Sequence, residues 1–459
     1  MSVPVRRRTA AIIGGVAAAL LLAACGGSSG SDSSPSASIT DPACSAYQPY
    51  GLHQGTTVTV FTSIKPPEQQ QYEASWAEFS KCTGITIKYE ATDQFEALLP
   101  TRIKGGNAPN IAFVPQPGLL RTLAQNPDTA PKPAPAAVAA NVDKYWAPKF
   151  KEYGTVDGTF YAAPLSSNMK SLVWYSPKTF AAKGWAIPTT WDQLMSLSDK
   201  IAASGMKPWC GGIESGGATG WPATDWLEQV VLRQAGGDVY DKWVTHDVKF
   251  NSPEITKAMD TVAGWMKNPA WVNAGFGDVK TIATTKFQDA GHPILVSQGA
   301  KCAMLQQASF YAGQFTAVQK DAKIAQDGDA FAFFLPPMTG SPNLPVVGGG
   351  EFVAAYSDAP EVQAFQAYLS SPEWATAKVK LGGWASANSG VPLDAYTDPI
   401  QLLSAKLMTD KTATFRFDAS DMMPGAVGSG EEWKQLTAWF AADKPTADVL
   451  SAIDAAWPS

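Results

Sequence analysis

The sequence predicts an α/β protein built on a parallel sheet, and three observations carry that prediction. Strand-like and helix-like patterns alternate in the order β-α-β-α-β-α between Thr57 and Gln125, which is the order of a parallel sheet covered by helices. The chain has 459 residues, 45% hydrophobic and 17% charged, enough for two or three globular domains. Eighteen residues from Trp209 to Trp226, WCGGIESGGATGWPATDW, hold three tryptophans, two carboxylates and five glycines. That mixture suits neither a buried strand nor a regular helix. Glycine lets a backbone turn tightly and approach another molecule closely. Flat indole rings beside carboxylate acceptors suit a neutral ligand with apolar faces and many hydroxyls, a sugar; the alternative is a loop whose rings cover a core.

The chain opens with Arg6, Arg7 and Arg8 before an apolar run from Ala10 to Ala24. The run falls short of the roughly 18–20 residues that span a bilayer comfortably and has the form of an export signal. Its end, Leu22-Ala23-Ala24-Cys25 followed by Gly26-Gly27-Ser28, resembles the lipobox of bacterial lipoproteins. In those proteins the cysteine thiol receives a diacylglyceryl group and becomes the mature N-terminus. Residues 1–24 are therefore expected to be a lipoprotein signal peptide, Cys25 the lipidation site, and 25–55 a lipidated N-terminus and flexible tether. The run GGSSGSDSSPSASITD over 26–41 is too small and polar to form a core. The expected location is exported and lipid-anchored to the outer face of the cell membrane.

The formal net charge is −6, and −9 without the three leader arginines. An acidic surface argues against a nucleic-acid partner. Phosphate-loop, dinucleotide and H-E-x-x-H patterns are missing from the sequence, and His53, His246 and His292 are scattered; no metal and no cofactor are expected. Cys44, Cys82, Cys210 and Cys302 remain beside Cys25. An even number in an exported chain suggests two disulfides. Three connectivities are open; Cys44–Cys82 is favoured because both lie near the first βα unit, which leaves Cys210–Cys302.

The elements follow in order. Thr57–Thr62 alternates β-formers and reads as a strand. Tyr72, Trp76 and Phe79 recur at helical spacing over 68–83, and Gly84 ends that helix. Strands are expected over 85–89 and 111–114, helices over 95–104, with Pro100 an awkward guest, and 119–125. Ligands of such sheets bind beyond the carboxyl ends of the strands, so Ser63, Lys65, Asp93 and Gln116 become site candidates. Residues 126–140, rich in proline and alanine, read as a loop. Asp157-Gly158 reads as the turn of a hairpin, and 163–175 as a strand entered through Pro164. Thr190 opens a capped helix reaching Ser204. Helices are further expected over 227–235, 252–267, 360–370, 372–381 and around Trp433, Leu436 and Trp439. Strands are expected over 294–305, 330–335 and from the Gly348-Gly349-Gly350 turn to Ala355.

Glu214, Asp225, Glu351, Asp418 and Asp421 could in principle supply the carboxylate pair of a glycoside hydrolase. Carboxylates also act as plain acceptors for hydroxyl groups, at about 1.5–3 kcal/mol each, and nothing in the sequence separates their pKa values. No catalytic residue, and no enzyme, is expected.

Seven segments together carry a family resemblance: VTVFTSIKPPEQQQYEASWAEFSKCTG, KGGNAPNIAFVPQPGLL, VDGTFYAAP, IPTTWDQL, VVGGGEFVAAYS, SPEWA and MPGAVGSGEEWKQL. In their order and spacing the chain resembles the extracellular solute-binding proteins of ABC sugar importers, the maltose-binding-protein-like group, and within it the α-glucoside-binding subgroup. The resemblance implies a two-lobe α/β fold with a ligand cleft between the lobes and crossing hinge segments. It assigns 56–163 and 337–388 to one lobe, 164–336 and 389–459 to the other. It implies a monomer that captures a sugar by hinge closure and delivers it to membrane permease subunits. A secreted glycan-processing enzyme and a glycan adhesin are the alternatives.

The resemblance also extends the set of cleft residues. Trp433 matches a stacking aromatic, Phe310 a second aromatic position, and Trp221 lies where the second lobe's loop supplies rings. Gly350 and Glu351 belong to a glycine turn that brings backbone amides to a sugar, and Gln116 stands where the family often has an acid. Asn168 and Lys170 fall near a cleft position, Arg416 and Asp421 flank the tail motif, and Trp384 follows a double glycine toward the cleft. Asp225 is left between helix cap and ligand contact.

Overall fold

The structure, a computed structural model, describes residues 39–338, 344–410 and 413–458. The signal expected over 1–24 and the expected lipidation site Cys25 lie outside the described residues. Among those described, no helix is long and apolar enough to cross a membrane.

Two large sheets organise the α/β fold. The first has the strand order Thr86–Ala91, Thr57–Thr62, Ile111–Val114, Phe352–Ala355, Ala162–Pro164. Its first three strands are parallel, as the β-α-β-α-β pattern predicts, whereas Phe352–Ala355 runs antiparallel to both its neighbours. The second sheet has the order Phe331–Phe334, Leu172–Tyr175, Cys302–Gln306, Lys207–Trp209. A smaller sheet joins Thr414–Phe417, Pro345–Gly349 and Asn168–Met169.

The stretch 163–175, expected as one strand, is three. It leaves the first sheet at Pro164, pairs in the small sheet at Asn168–Met169, and enters the second sheet at Leu172. The later run visits the same three sheets in reverse, through Phe331–Phe334, Pro345–Gly349 and Phe352–Ala355. The small sheet is thus where chain segments cross between the two large ones.

Local signals hold in several places. Thr190 Oγ1 accepts from the Gln193 amide while Gln193 Oε1 accepts from Thr189, which fixes the start of helix Trp191–Ala203. Asp157 and Gly158 both have positive φ, 48° and 80°, as a two-residue hairpin turn requires. Helix Phe95–Lys104 keeps Pro100 inside it.

Other expectations are corrected. The helix over 68–83 breaks at Trp76 into Glu68–Ser75 and Ala77–Thr83. The expected loop 126–140 contains the start of helix Ala136–Tyr145; Pro135 stands just before its first turn, and alanine favours the helix that follows. The strand around Cys302 is shorter than 294–305, and 3-10 turns occupy His292–Ile294 and Val296–Gln298. Part of the expected tether is built in: Pro42–Tyr50 forms a 3-10 helix, with Tyr47 and Tyr50 packed against Phe79 and Tyr368.

Cys44–Cys82 fastens that segment, and Cys210–Cys302 fastens the start of the Trp209–Trp226 stretch to the second sheet, with Cα–Cα distances of 5.5 and 5.7 Å. Trp209 and Trp226 are buried in the second sheet's core. Trp209 donates to Ser198 Oγ at 3.0 Å and meets Trp265 edge-to-face.

Candidate functional site

A cavity of about 170 Å³ lies where the strand ends of the first sheet meet the Gly216–Trp221 region of the second. One wall comes from the carboxyl ends of the parallel strands. Ser63 and Lys65 follow Thr57–Thr62, Asp93 follows Thr86–Ala91, and Gln116 follows Ile111–Val114. Parallel topology produces this arrangement, because successive strands deliver their exit loops to one edge. Lys65 Nζ lies 3.2 Å from Asp93 Oδ2. Gln116 donates through Nε2 to Glu96 Oε1 at 2.9 Å, and its own Oε1 is buried without a partner.

The floor is formed where the crossing segments run. Gly350 passes so near the Ser166 carbonyl that a Cβ there would collide with it; glycine is required by this close approach. Glu351 accepts a hydrogen bond from Ser166 Oγ, and Ser166 Oγ accepts from the Glu351 amide at 3.1 Å. Asn168 and Lys170 line the same floor. Lys170 Nζ lies 2.8 Å from Asp225 Oδ1 and 2.5 Å from Asp418 Oδ2, and 5.2 Å from the centre of the Trp221 ring. Asp418 Oδ1 accepts from Ser420 Oγ at 2.7 Å and from the Asp421 amide at 2.8 Å.

The facing wall is aromatic. Trp221 opens helix Trp221–Gln234 and meets Phe287 edge-to-face at 5.0 Å and Phe310 at 6.2 Å between ring centres. Trp433 completes the lining. Gly220 has φ 116° and runs so close to the Trp433 backbone that no side chain fits. The neighbouring turn reaches across the cavity mouth: the Gly217 amide donates to the Asp93 carbonyl at 2.9 Å.

Burial sets the electrostatics of these groups. It pushes Glu68 up to about 8, with Glu351 adding to the shift and Lys378 opposing it. Burial likewise raises Glu96 and Glu351, against the hydrogen bonds from Gln116 and Ser166. Asp421 is held well above the usual range by burial and by the charge of Asp418. Burial alone would lower Lys170, but Asp225 and Asp418 outweigh it and keep the ammonium charged. Burial also works against ionising Asp418, yet Lys170 holds it down to about 2. Asp225, with less help, is raised by its burial. Asp225, Glu228 and Asp418 bring carboxylate oxygens within 4.8 Å of one another. That spacing suits a metal ion, but the Lys170 ammonium already supplies the positive charge there.

Of the residues expected at the site, Ser63, Asp93, Gln116, Asn168, Trp221, Phe310, Gly350, Glu351, Asp421 and Trp433 line this one cavity. Three do not. Asp225 is buried behind Lys170 as its ion-pair partner. Trp384 is turned into the core, 5.3 Å from Trp374 between ring centres, because the glycine turn before it directs the chain inward. Arg416 lines a separate depression with Lys149 and Tyr153, its Nε 2.6 Å from Asp241. Glu68, Glu96, Phe287, Gln288 and Gln314 line the cavity and were not expected there. Glu68 and Glu96 stand in the first turns of the helices that follow the first two strands, which was a readable signal. Phe287, on the four-residue helix Phe287–Ala290, carries no local sequence signal.

Comparison with known proteins bears on most of the chain. A family model described as bacterial extracellular solute-binding protein matches residues 65–376. The osmoprotective compounds-binding protein GgtB of Synechocystis sp. is 34% identical over 87% of this chain and 92% of its own length. The alpha-glucosides-binding periplasmic protein AglE of Rhizobium meliloti is 33% identical over 88% of each. Among solved structures, the bacterial solute receptor AcbH superposes with a TM-score of 0.73 at 18% identity, covering 87% of this chain and 98% of that one; this likeness speaks to the two-lobe fold.

Proposed function

Because the chain belongs to the family of bacterial extracellular solute-binding proteins, we propose that it captures a sugar, an α-glucoside or a related oligosaccharide, and delivers it to the permease of an ABC importer. The observation that carries this reading is the cavity itself. Strand-end polar groups face the Trp221, Phe287 and Phe310 rings across it, a pairing that suits hydroxyl edges on one side and apolar ring faces on the other. The names of AglE and GgtB, which refer to α-glucosides and osmoprotective compounds, support the same ligand class.

In this reading the lobes are 56–163 with 337–388, and 164–336 with 389–459, and they close about the small three-stranded sheet. Each contains one large sheet, apart from strands at the crossings. The ten expected residues that line the cavity are the proposed contacts. The protein acts as a monomer, and the sugar leaves it unchanged. The signal over 1–24 is removed and Cys25 carries the lipid; its replacement, Cys25→Ala, releases the protein from the membrane fraction and abolishes labelling by a fatty-acid analogue.

A thermal-shift panel of mono-, di- and oligosaccharides tests the central reading. Maltose or trehalose raises Tm with the logarithm of ligand concentration over Kd and changes tryptophan fluorescence. Stabilisation by an amino acid or peptide, with none by any sugar, overturns it.

A further inference from the structure

Acceptors outnumber free cations on the cavity wall. The lining contains two lysines and neither arginine nor histidine. Both lysines are already held by the protein's own carboxylates: Lys65 by Asp93, Lys170 by Asp225 and Asp418. Four further carboxyl groups line the cavity, those of Glu68, Glu96, Glu351 and Asp421, and among the described residues none of them has a salt-bridge partner within 4 Å. Lys378 acts on Glu68 and Glu351 from behind the wall. It is 1% exposed, its Nζ lies over the Tyr72 and Trp384 rings, and it donates to Gln71 Oε1 at 3.3 Å.

A neutral acceptor points the same way. Gln116 is 4% exposed and lines the cavity. Its Nε2 donates to Glu96 Oε1, and its own Oε1, on the other side of the amide, has no partner. A buried acceptor left unmade costs about 1–3 kcal/mol, and Gln116 Oε1 adds one more unpaired acceptor to a wall already rich in them.

We infer that the cavity takes a sugar bearing a protonated amine more tightly than the neutral parent sugar, and rejects sugars bearing a carboxylate or phosphate. This rests on the sugar reading above. An ammonium brings three donors and no acceptor, and its hydrogen bonds to carboxylates are roughly twice as strong as neutral ones. An anion in the same place finds both lysines of the lining already paired and is repelled by whichever carboxyl group is ionised. Burial raises all four carboxyl groups above the usual carboxylate range, Glu68 to about 8. As the ammonium enters, a neighbouring carboxylic acid loses its proton to the buffer and becomes the carboxylate that faces the cation.

Isothermal titration calorimetry at pH 7 on the mature chain tests this with maltose, α,α-trehalose, the 2-, 3-, 4- and 6-amino-deoxytrehaloses, and trehalose 6-phosphate. At least one amino sugar is expected to bind ten-fold or more tightly than trehalose, with a heat that varies with the buffer's ionisation enthalpy because protons are released. Trehalose 6-phosphate is expected not to bind. Asp421→Asn is expected to narrow the ratio of amino-sugar to trehalose affinity, and Glu68→Gln serves the same purpose should the first variant not fold. Neutral sugars binding as tightly as every amino sugar, or the phosphate binding as well as trehalose, overturns this inference alone. Failure of all sugars to bind overturns it together with the sugar reading.

Discussion

Lys170 Nζ lies 2.5 Å from Asp418 Oδ2, and this contact ties together two segments that leave the small sheet. One leaves strand Asn168–Met169 and the other leaves Thr414–Phe417. Asp225, on the helix that Trp221 opens, completes the cluster from the second sheet's side. Removing one member of a buried ion pair strands the other charges. Lys170→Met is therefore expected to lower stability by about 3–5 kcal/mol, measured by urea denaturation. Adding Asp225→Asn to that variant is expected to restore part of the loss, because it removes one uncompensated carboxylate.

Acid and alkali act on different groups. Glu68 is pushed up to about 8, and Asp421 and Glu228 also lie above the usual range, all chiefly through burial. Their unfolded values are near 4. Between those values the folded protein keeps protons that the unfolded chain has lost. Stability from these groups is full below the unfolded pKa and is lost as pH rises through the folded one. Asp418, held down to about 2, works oppositely: its contribution is present above about pH 4 and is lost as pH falls toward 2. Calorimetric melting of the ligand-free protein should show Tm declining from pH 5 to 8.5 and again below pH 4. Asp421→Asn should flatten the alkaline decline; an unchanged slope contradicts the assignment.

The mouth of the cavity can be propped open. Gly216 has φ 59°, and a Cβ there would stand 2.7 Å from Asp93 Cγ. Gly216→Leu would push the turn away from Asp93 and break the Gly217–Asp93 backbone contact, with a further strain of roughly 1–2 kcal/mol from the left-handed conformation. Ligand affinity is expected to fall about tenfold, the equivalent of losing the one hydrogen bond from Gly217 to Asp93 that holds the turn over the cavity. Small-angle scattering in saturating ligand should give a larger radius of gyration than the parent protein shows.

Trp221→Ala separates binding from folding. The ring is only partly buried and its neighbours Phe287 and Phe310 remain. With aromatic contacts worth about 0.5–1.5 kcal/mol, sugar affinity should drop roughly 2–12-fold while the circular dichroism spectrum stays unchanged. Loss of the folded signal would make Trp221 a core residue.

Signals that act within a few residues were legible in the sequence. Thr190 marked a helix start, Asp157-Gly158 a turn, and the strand exits at Ser63, Asp93 and Gln116 marked one cavity wall. What was hidden depends on partners far along the chain. Residues 163–175 look uniformly extended, and only their pairing with Phe352–Ala355, Gly348–Gly349 and Cys302–Gln306 divides them among three sheets. Phe287 reaches the cavity through packing with Trp221 and Phe310, which no spacing encodes. Trp384 and Arg416 went astray for the same reason: proximity to a motif in sequence says little about which way a side chain faces.

Strand Phe352–Ala355 fills the gap between Ile111–Val114 and Ala162–Pro164. A polypeptide that stops short of Phe352 leaves one strand with a bare edge and the other with no partner in its sheet. Bare edges recruit foreign strands. Fragments cut or terminated ahead of this point should therefore clump and be cleared by proteolysis, and a reporter fused behind Ala355 would register only chains able to close the sheet. The middle of the first sheet is sealed from the far side of the sequence, so the molecule cannot be trimmed to a free-standing N-terminal half.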